Sequence, residues 1–147
     1  THPLIGHVIV VGDNRPYIGA LITLDSDMLA NWLVAHNLPV VDPSVEMRMP
    51  EVQRSLQRAI DRANRAVSRA ESIRRFRLVD TVFTVENGYL TPSLKLRRSK
   101  VLKDYAREVD ALYEEGLAER NATVRARQPH ARPASTMSRK LRSWLRR

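Results

Sequence analysis

The chain contains no cysteine, which excludes disulfide staples, thiolate metal sites and cysteine nucleophiles and fits a reducing compartment. No window approaches the roughly 18 consecutive apolar residues that a membrane-spanning helix needs, so nothing is expected to cross a bilayer. The opening THPLIGHVIVVGD lacks a basic n-region, and its apolar run reads as a strand and not as a secretory signal. A cytoplasmic location follows as the expectation. Aromatic residues make up only 5% of the sequence and are not clustered, so no platform for stacking nucleic-acid bases is foreseen. His2, His7, His36 and His130 share no metal-ligand spacing, and structural or surface roles are expected for them. Gly12 and Gly19 do not make a phosphate-binding fingerprint, and no serine and histidine arrangement marks a nucleophile with its base.

What the chain has in excess is positive charge, but only at one end. Residues 1–116 hold 16 Lys or Arg against 15 Asp or Glu, whereas residues 117–147 hold 9 against 1. Basicity is therefore a property of a tail, and an electrostatic partner is to be sought there. At 147 residues there is room for one core and an appendage, since single domains typically run to roughly 100–150 residues.

Two apolar, β-branched runs, HVIVV at 7–11 and YIGALITL at 17–24, flank the turn cluster GDNRP and predict a β-hairpin in a sheet covered on at least one face. Asp25 or Ser26 caps a predicted helix reaching about Asn37, with Leu29, Trp32 and Leu33 on one side. Pro39, Pro43 and Pro50 then bound a loop. From Glu51, the residues Val52, Leu56, Ile60, Ala63, Val67 and Ala70 recur at helical spacing, with an arginine row outside that reads as a solvated face. FRLVD at 76–80 predicts a strand, and Asn87-Gly88 a tight reversal. Leu102, Tyr105, Val109, Leu112 and Tyr113 form a third helical stripe ending near Gly116. Beyond it, NATVRARQPHARPAST predicts a flexible linker. In the last stretch, Met137, Leu141, Trp144 and Leu145 share a face of a candidate basic amphipathic helix over 136–147, suited to a membrane surface. The fold class expected is α+β: a small sheet with an N-terminal β-hairpin, about three packed helices and a basic C-terminal tail.

The segment NGYLTPSLKLRR at 87–98 is unlike an ordinary basic run because it alternates. Lys95 stands between Leu94 and Leu96 on a loop restricted by Gly88 and Pro92. In an extended segment both leucines would point inward while the ammonium projects, offering a compact cation to an oxyanion outside the domain.

TPSLKLRR is similar to the final signature of the AMP-forming acyl-CoA synthetases of the adenylate-forming superfamily, especially the long-chain fatty acid type. HPLIGHVIVVGDNRPYIGALITLD resembles the opening hairpin of that family's C-terminal domain. AVSRAESIRRFRLVD and FTVENGYLTPSLKLRR resemble its closing half, and the likeness covers about residues 1–115. The resemblance implies that residues 1–116 are the C-terminal lid domain of a longer enzyme joining a fatty acid to coenzyme A. ATP and CoA are its substrates, and Mg²⁺ is expected in the full-length protein. The large adenylation domain, with its phosphate loop and the hinge expected just before Thr1, is the missing partner. The lysine matching Lys95 would enter that domain's active site for adenylate formation, and the lid would then rotate for thioester formation. Many relatives carry Gly just before this lysine, where this chain has Leu94. On its own the chain is expected to bind none of these substrates and to activate no fatty acid.

Two readings from other classes compete. A small basic nucleic-acid-binding module would use the total charge, but the near-neutral folded part argues against it and no nucleic acid is expected. A peripheral membrane contact through 136–147 would be compatible with a fatty-acid enzyme.

Overall fold

The computed structural model describes residues 2–127. The predicted hairpin is present: β1 (Ile5–Val11) and β2 (Ile18–Leu24) pair antiparallel, with Ile9 opposite Leu21 and Val10 opposite Ala20. The turn between them closes through Arg15 N donating to Gly12 O at 3.0 Å. β3 (Ile73–Val79), which starts earlier than FRLVD implied, lies parallel to β2. The sheet order is β1-β2-β3. A parallel pair needs a long crossover, and three helices supply it: α1 (Ser26–Ala35), α2 (Pro43–Glu46) and α3 (Pro50–Asn64).

Both faces of the sheet are covered, and β2 shows it. Successive strand side chains point to opposite faces. Leu21 joins Ile9, Val79, Val101 and Leu112 on one side, while Ala20 and Ile22 join Ile60 on the other. The second side continues into Leu29, Leu33, Val52 and Leu56 of α1 and α3. The first side is closed by the segment after β3, by α4 (Arg98–Asp104) and by Val109, Leu112 and Tyr113 in the first turns of α5 (Ala106–Arg127).

Helix boundaries follow local chemistry. The Asp25 carboxylate accepts from Met28 N and caps α1, as expected of that residue type. α2 was not anticipated, because four residues are too few to show a period. Its cap is nevertheless well formed: Asp42 accepts from Ser44 N at 2.9 Å, Pro43 takes the first turn, and buried Glu46 accepts from Val41 N at 2.9 Å. The apolar stripe of α3 was expected to run to Ala70, but the helix ends at Asn64. The Asn64 amide turns back to bond both Ile73 O and Ile73 N, at 2.8 and 2.9 Å. That clamp hands the chain to β3 and leaves Val67 45% exposed.

The single helix foreseen over 102–116 is two, broken at Tyr105, and with α2 this makes five helices among the described residues where about three were expected. Tyr105 leaves helical geometry at φ −108° and ψ 27°, and its hydroxyl donates to Thr81 Oγ1 at 2.6 Å. The chain divides into a unit reaching Glu114 and a second beginning at Glu115. Residues 117–127 are helical where a flexible linker was expected. Leu, Ala, Glu and Arg favour helix enough to offset the roughly 1 kcal/mol cost of Gly116, and no proline intervenes before Pro129. The candidate helix over 136–147 lies outside the described residues. Among those residues, no helix is long and apolar enough to cross a membrane.

Candidate functional site

Lys95 sits near the end of a segment, residues 80–97, that has almost no regular secondary structure yet is pinned at every stage. Asn87 organises its first half. The Asn87 Oδ1 accepts from Thr84 N at 3.0 Å and from Tyr89 N at 3.3 Å, and its Nδ2 donates to Val82 O at 2.8 Å. Asn87 N donates in turn to Thr84 Oγ1 at 3.1 Å. Gly88 follows at φ +81°, a left-handed geometry that glycine adopts without penalty. The predicted reversal is therefore present at Asn87-Gly88.

The second half is a miniature antiparallel ladder. Arg97 N donates to Tyr89 O and Thr91 N to Lys95 O, both at 2.8 Å. They bracket the bridge between Leu90 and Leu96. In such a pair the two opposed side chains share one face. Here it is the core face, where Leu90 is 8% exposed and Leu96 packs beside it. The tip closes through Leu94 N donating to Thr91 O at 2.8 Å and Lys95 N to Thr91 Oγ1 at 3.1 Å.

One expectation fails at this tip. Leu94 does not anchor the loop beside Leu96: it is 69% exposed and held at φ +63°. The backbone reverses there, so the strand alternation that would turn residues 94 and 96 the same way starts only at Lys95. The left-handed geometry accounts for the suitability of Gly at this position. Lys95 itself is exposed. Among the described residues no carboxylate pairs with its ammonium.

Beneath the ladder, Tyr89 lies 4.8 Å from the Phe83 ring centroid and 5.9 Å from that of Tyr105. The Tyr89 hydroxyl donates to Asp104 Oδ2 at 2.9 Å, and the Lys100 ammonium to the same oxygen at 3.0 Å. Accepting from Lys100, and then from Tyr89, lowers the Asp104 pKa. Its hydrogen bond to that carboxylate raises the Tyr89 phenol far above its ordinary value. Lys100 Nζ also stands 4.9 Å from the Tyr89 ring centroid. Sequence reading did not single out this Tyr89, Lys100 and Asp104 node. The i,i+4 spacing of Lys100 and Asp104 was the available signal.

The four-histidine question resolves in part. His2 Nε2 lies 3.0 Å from Ser55 Oγ, and its Nδ1 accepts from Leu4 N at 3.2 Å, a structural arrangement. Among the described residues no group of three or more His, Asp or Glu is placed to hold a metal ion. The Mg²⁺ that the resemblance implies has no such ligand set among them.

Fold and loop together define a small α+β module in which a hydrogen-bonded irregular segment carries an exposed lysine with no ion pair among the described residues. A family model described as the AMP-binding enzyme C-terminal domain matches residues 1–116, and the chain belongs to that family. Over 114 residues the chain is 40% identical to the long-chain-fatty-acid–CoA ligase FadD15 of Mycobacterium tuberculosis, covering 76% of this chain and 19% of that protein. It is 26% identical over 130 residues to the human long-chain-fatty-acid–CoA ligase ACSBG1, covering 77% of this chain and 18% of that one. Among solved structures it resembles the A-PCP didomain of carboxylic acid reductase from Segniliparus rugosus in complex with AMP. There the TM-score is 0.58 at 25% identity, over 90% of this chain and 17% of that one. The chain thus spans about a fifth of the length of the curated relatives it matches.

Proposed function

We propose that the chain is the mobile C-terminal domain of an AMP-forming long-chain fatty acid–CoA ligase, and that Lys95 is the cation it delivers to the large domain for adenylate formation. In that half-reaction a carboxylate oxygen attacks the α-phosphorus of ATP and pyrophosphate leaves. An ammonium between the two anions lowers their repulsion and aligns them. The domain then rotates, withdrawing Lys95, and the CoA thiol attacks the acyl carbon as AMP departs. The same reading assigns the enzyme to the cytoplasm, where ATP and CoA are available.

The observation that carries the proposal is the state of Lys95. Its backbone is fixed by hydrogen bonds on both sides, while its side chain is exposed and has no carboxylate partner among the described residues. A lysine kept for stability would be expected to show a partner or packing. Support for the substrate class comes from the FadD15 and ACSBG1 relatives, which are named as long-chain-fatty-acid–CoA ligases.

The test joins this chain to its cognate large domain and replaces Lys95 with Ala. Acyl-adenylate formation should collapse, while thioester formation from preformed acyl-adenylate largely survives. Equal loss in both half-reactions would show that Lys95 serves stability or general binding. The isolated chain should show no fatty-acid activation.

A further inference from the structure

Lys95 is not the only cation that the ladder turns away from the core. The Leu90 and Leu96 bridge commits one face of the 89–97 segment to the interior, and strand alternation then sends both neighbours of Leu96, Lys95 and Arg97, to the opposite face. Arg97 is held in register by its own amide, which donates to Tyr89 O at 2.8 Å. It is exposed, and among the described residues its guanidinium, like the Lys95 ammonium, has no ion pair. Arg98 is different: it opens α4 and lines a hollow that also contains Asp13 and Asp110.

Resting on the Lys95 reading above, we infer that Arg97 is a second substrate-positioning cation, presented beside Lys95 to hold the phosphate oxygens of the bound nucleotide triphosphate. Alternate residues on an extended segment stand on the order of 7 Å apart, so two long side chains can grip neighbouring anionic groups of one substrate. The two head groups divide the work by their chemistry. An ammonium is a point charge suited to the crowded contact between carboxylate and phosphorus. A guanidinium is a planar fork that meets two phosphate oxygens at once. Arg97 thus acts on nucleotide binding and Lys95 on the chemical step, and the alternating pattern of LKLRR has a use for each of its outward positions.

The test measures the full-length enzyme with Arg97→Ala, Arg97→Lys, Lys95→Ala and, as a control for loss of any nearby charge, Lys103→Ala. Removing a forked charged contact should raise the KM for ATP about tenfold. The KM for fatty acid, the thioester half-reaction from preformed acyl-adenylate and the melting temperature should stay at their unmodified values. Arg97→Lys should fall between, and Lys103→Ala should match the unmodified enzyme. The inference is overturned by an unchanged KM for ATP in Arg97→Ala, or by an equal rise in Lys103→Ala, which would indicate a diffuse field. A parallel fall in the thioester half-reaction or the melting temperature, which would indicate a structural role, also overturns it. If Lys95→Ala abolishes adenylation while Arg97→Ala is silent, Arg97 alone is wrong. If Arg97→Ala raises the KM while Lys95→Ala leaves adenylation intact, the Lys95 assignment is the one that fails and the Arg97 contact stands.

Discussion

The tip of the cation-bearing loop can be tested through a reversal of sign at Leu94. At an ordinary backbone position glycine is less stable than alanine by roughly 0.5–1 kcal/mol, because the unfolded chain loses more freedom on folding. At φ +63° the balance changes. An L-residue in left-handed geometry carries about 1–2 kcal/mol of steric cost that glycine escapes. Glycine should therefore be more stable than alanine at this position by about 0.5–1 kcal/mol once the two effects are combined. The side chain hardly enters the comparison, since Leu94 is 69% exposed and Ala and Gly both discard it. Valine should be the worst of the series, because a β-branched residue is a marked outlier in left-handed geometry. The assay is urea denaturation of the 147-residue chain carrying Leu94→Gly, Leu94→Ala or Leu94→Val. A Gly-over-Ala difference of this size moves the midpoint by roughly a few tenths molar. Alanine equal to or more stable than glycine would refute the left-handed geometry, and with it the account of how Lys95 is aimed.

Other predictions concern the supports of the loop, the core and one histidine. Asn87→Ala removes the bonds to Thr84 N, Tyr89 N and Val82 O. It should cost about 1–2 kcal/mol in denaturation and, in the full-length enzyme, reduce adenylate formation more than thioester formation. Leu112 is fully buried, so Leu112→Ala should cost about 2–5 kcal/mol. A Cβ placed on Gly19 would come within 3.1 Å of Leu112 Cδ1, so Gly19→Ala should destabilise the unmodified chain but cost less in the Leu112→Ala background. A double-mutant cycle reads that coupling directly. Burial, with Arg62 and Arg58 nearby, lowers the His2 pKa, so as pH falls through about 6.5 the unfolded chain binds its proton first. Stability should be full above that value and decline below it until the folded-state pKa is passed. His2→Gln should remove this part of the slope in pH-dependent melting curves.

The elements legible in the sequence are those whose signal is local and repeated. Continuous apolar, β-branched runs marked β1 and β2, the Asp25 or Ser26 cap marked α1, and the apolar spacing marked the body of α3. What escaped was set by single contacts between distant residues. Nothing in the apolar stripe through Ala70 reveals that Asn64 will turn back to clasp Ile73. Nor does the stripe through Tyr105 reveal that its hydroxyl will reach Thr81 and break one helix into two. In the loop, alternation foretold the exposure of Lys95 and the inward packing of Leu96. It misplaced Leu94 because a turn hydrogen bond, Leu94 N to Thr91 O, interrupts the strand geometry one residue earlier than periodicity can show. Arg97 carries no signal of its own in the sequence, because its outward direction depends on the ladder to Tyr89.

On the proposed reading of Lys95, a delivered cation must meet two requirements that pull against each other. A domain that docked with its charge not yet aimed would lose affinity, since ordering a residue's backbone costs roughly 1–2 kcal/mol and a lysine side chain up to about 2 kcal/mol more. Left to the moment of docking, the five residues Thr91 to Lys95 would together subtract on the order of 5–10 kcal/mol from binding. Here the ladder, the Asn87 hub and the Tyr89 contacts with Phe83 and Asp104 settle that backbone cost during folding. Under that proposal, only the side chains of Lys95 and Arg97 would be left to order on docking. The backbone under the two cations is thus fixed by the fold, and the movement that the proposed delivery requires would belong to the domain as a whole.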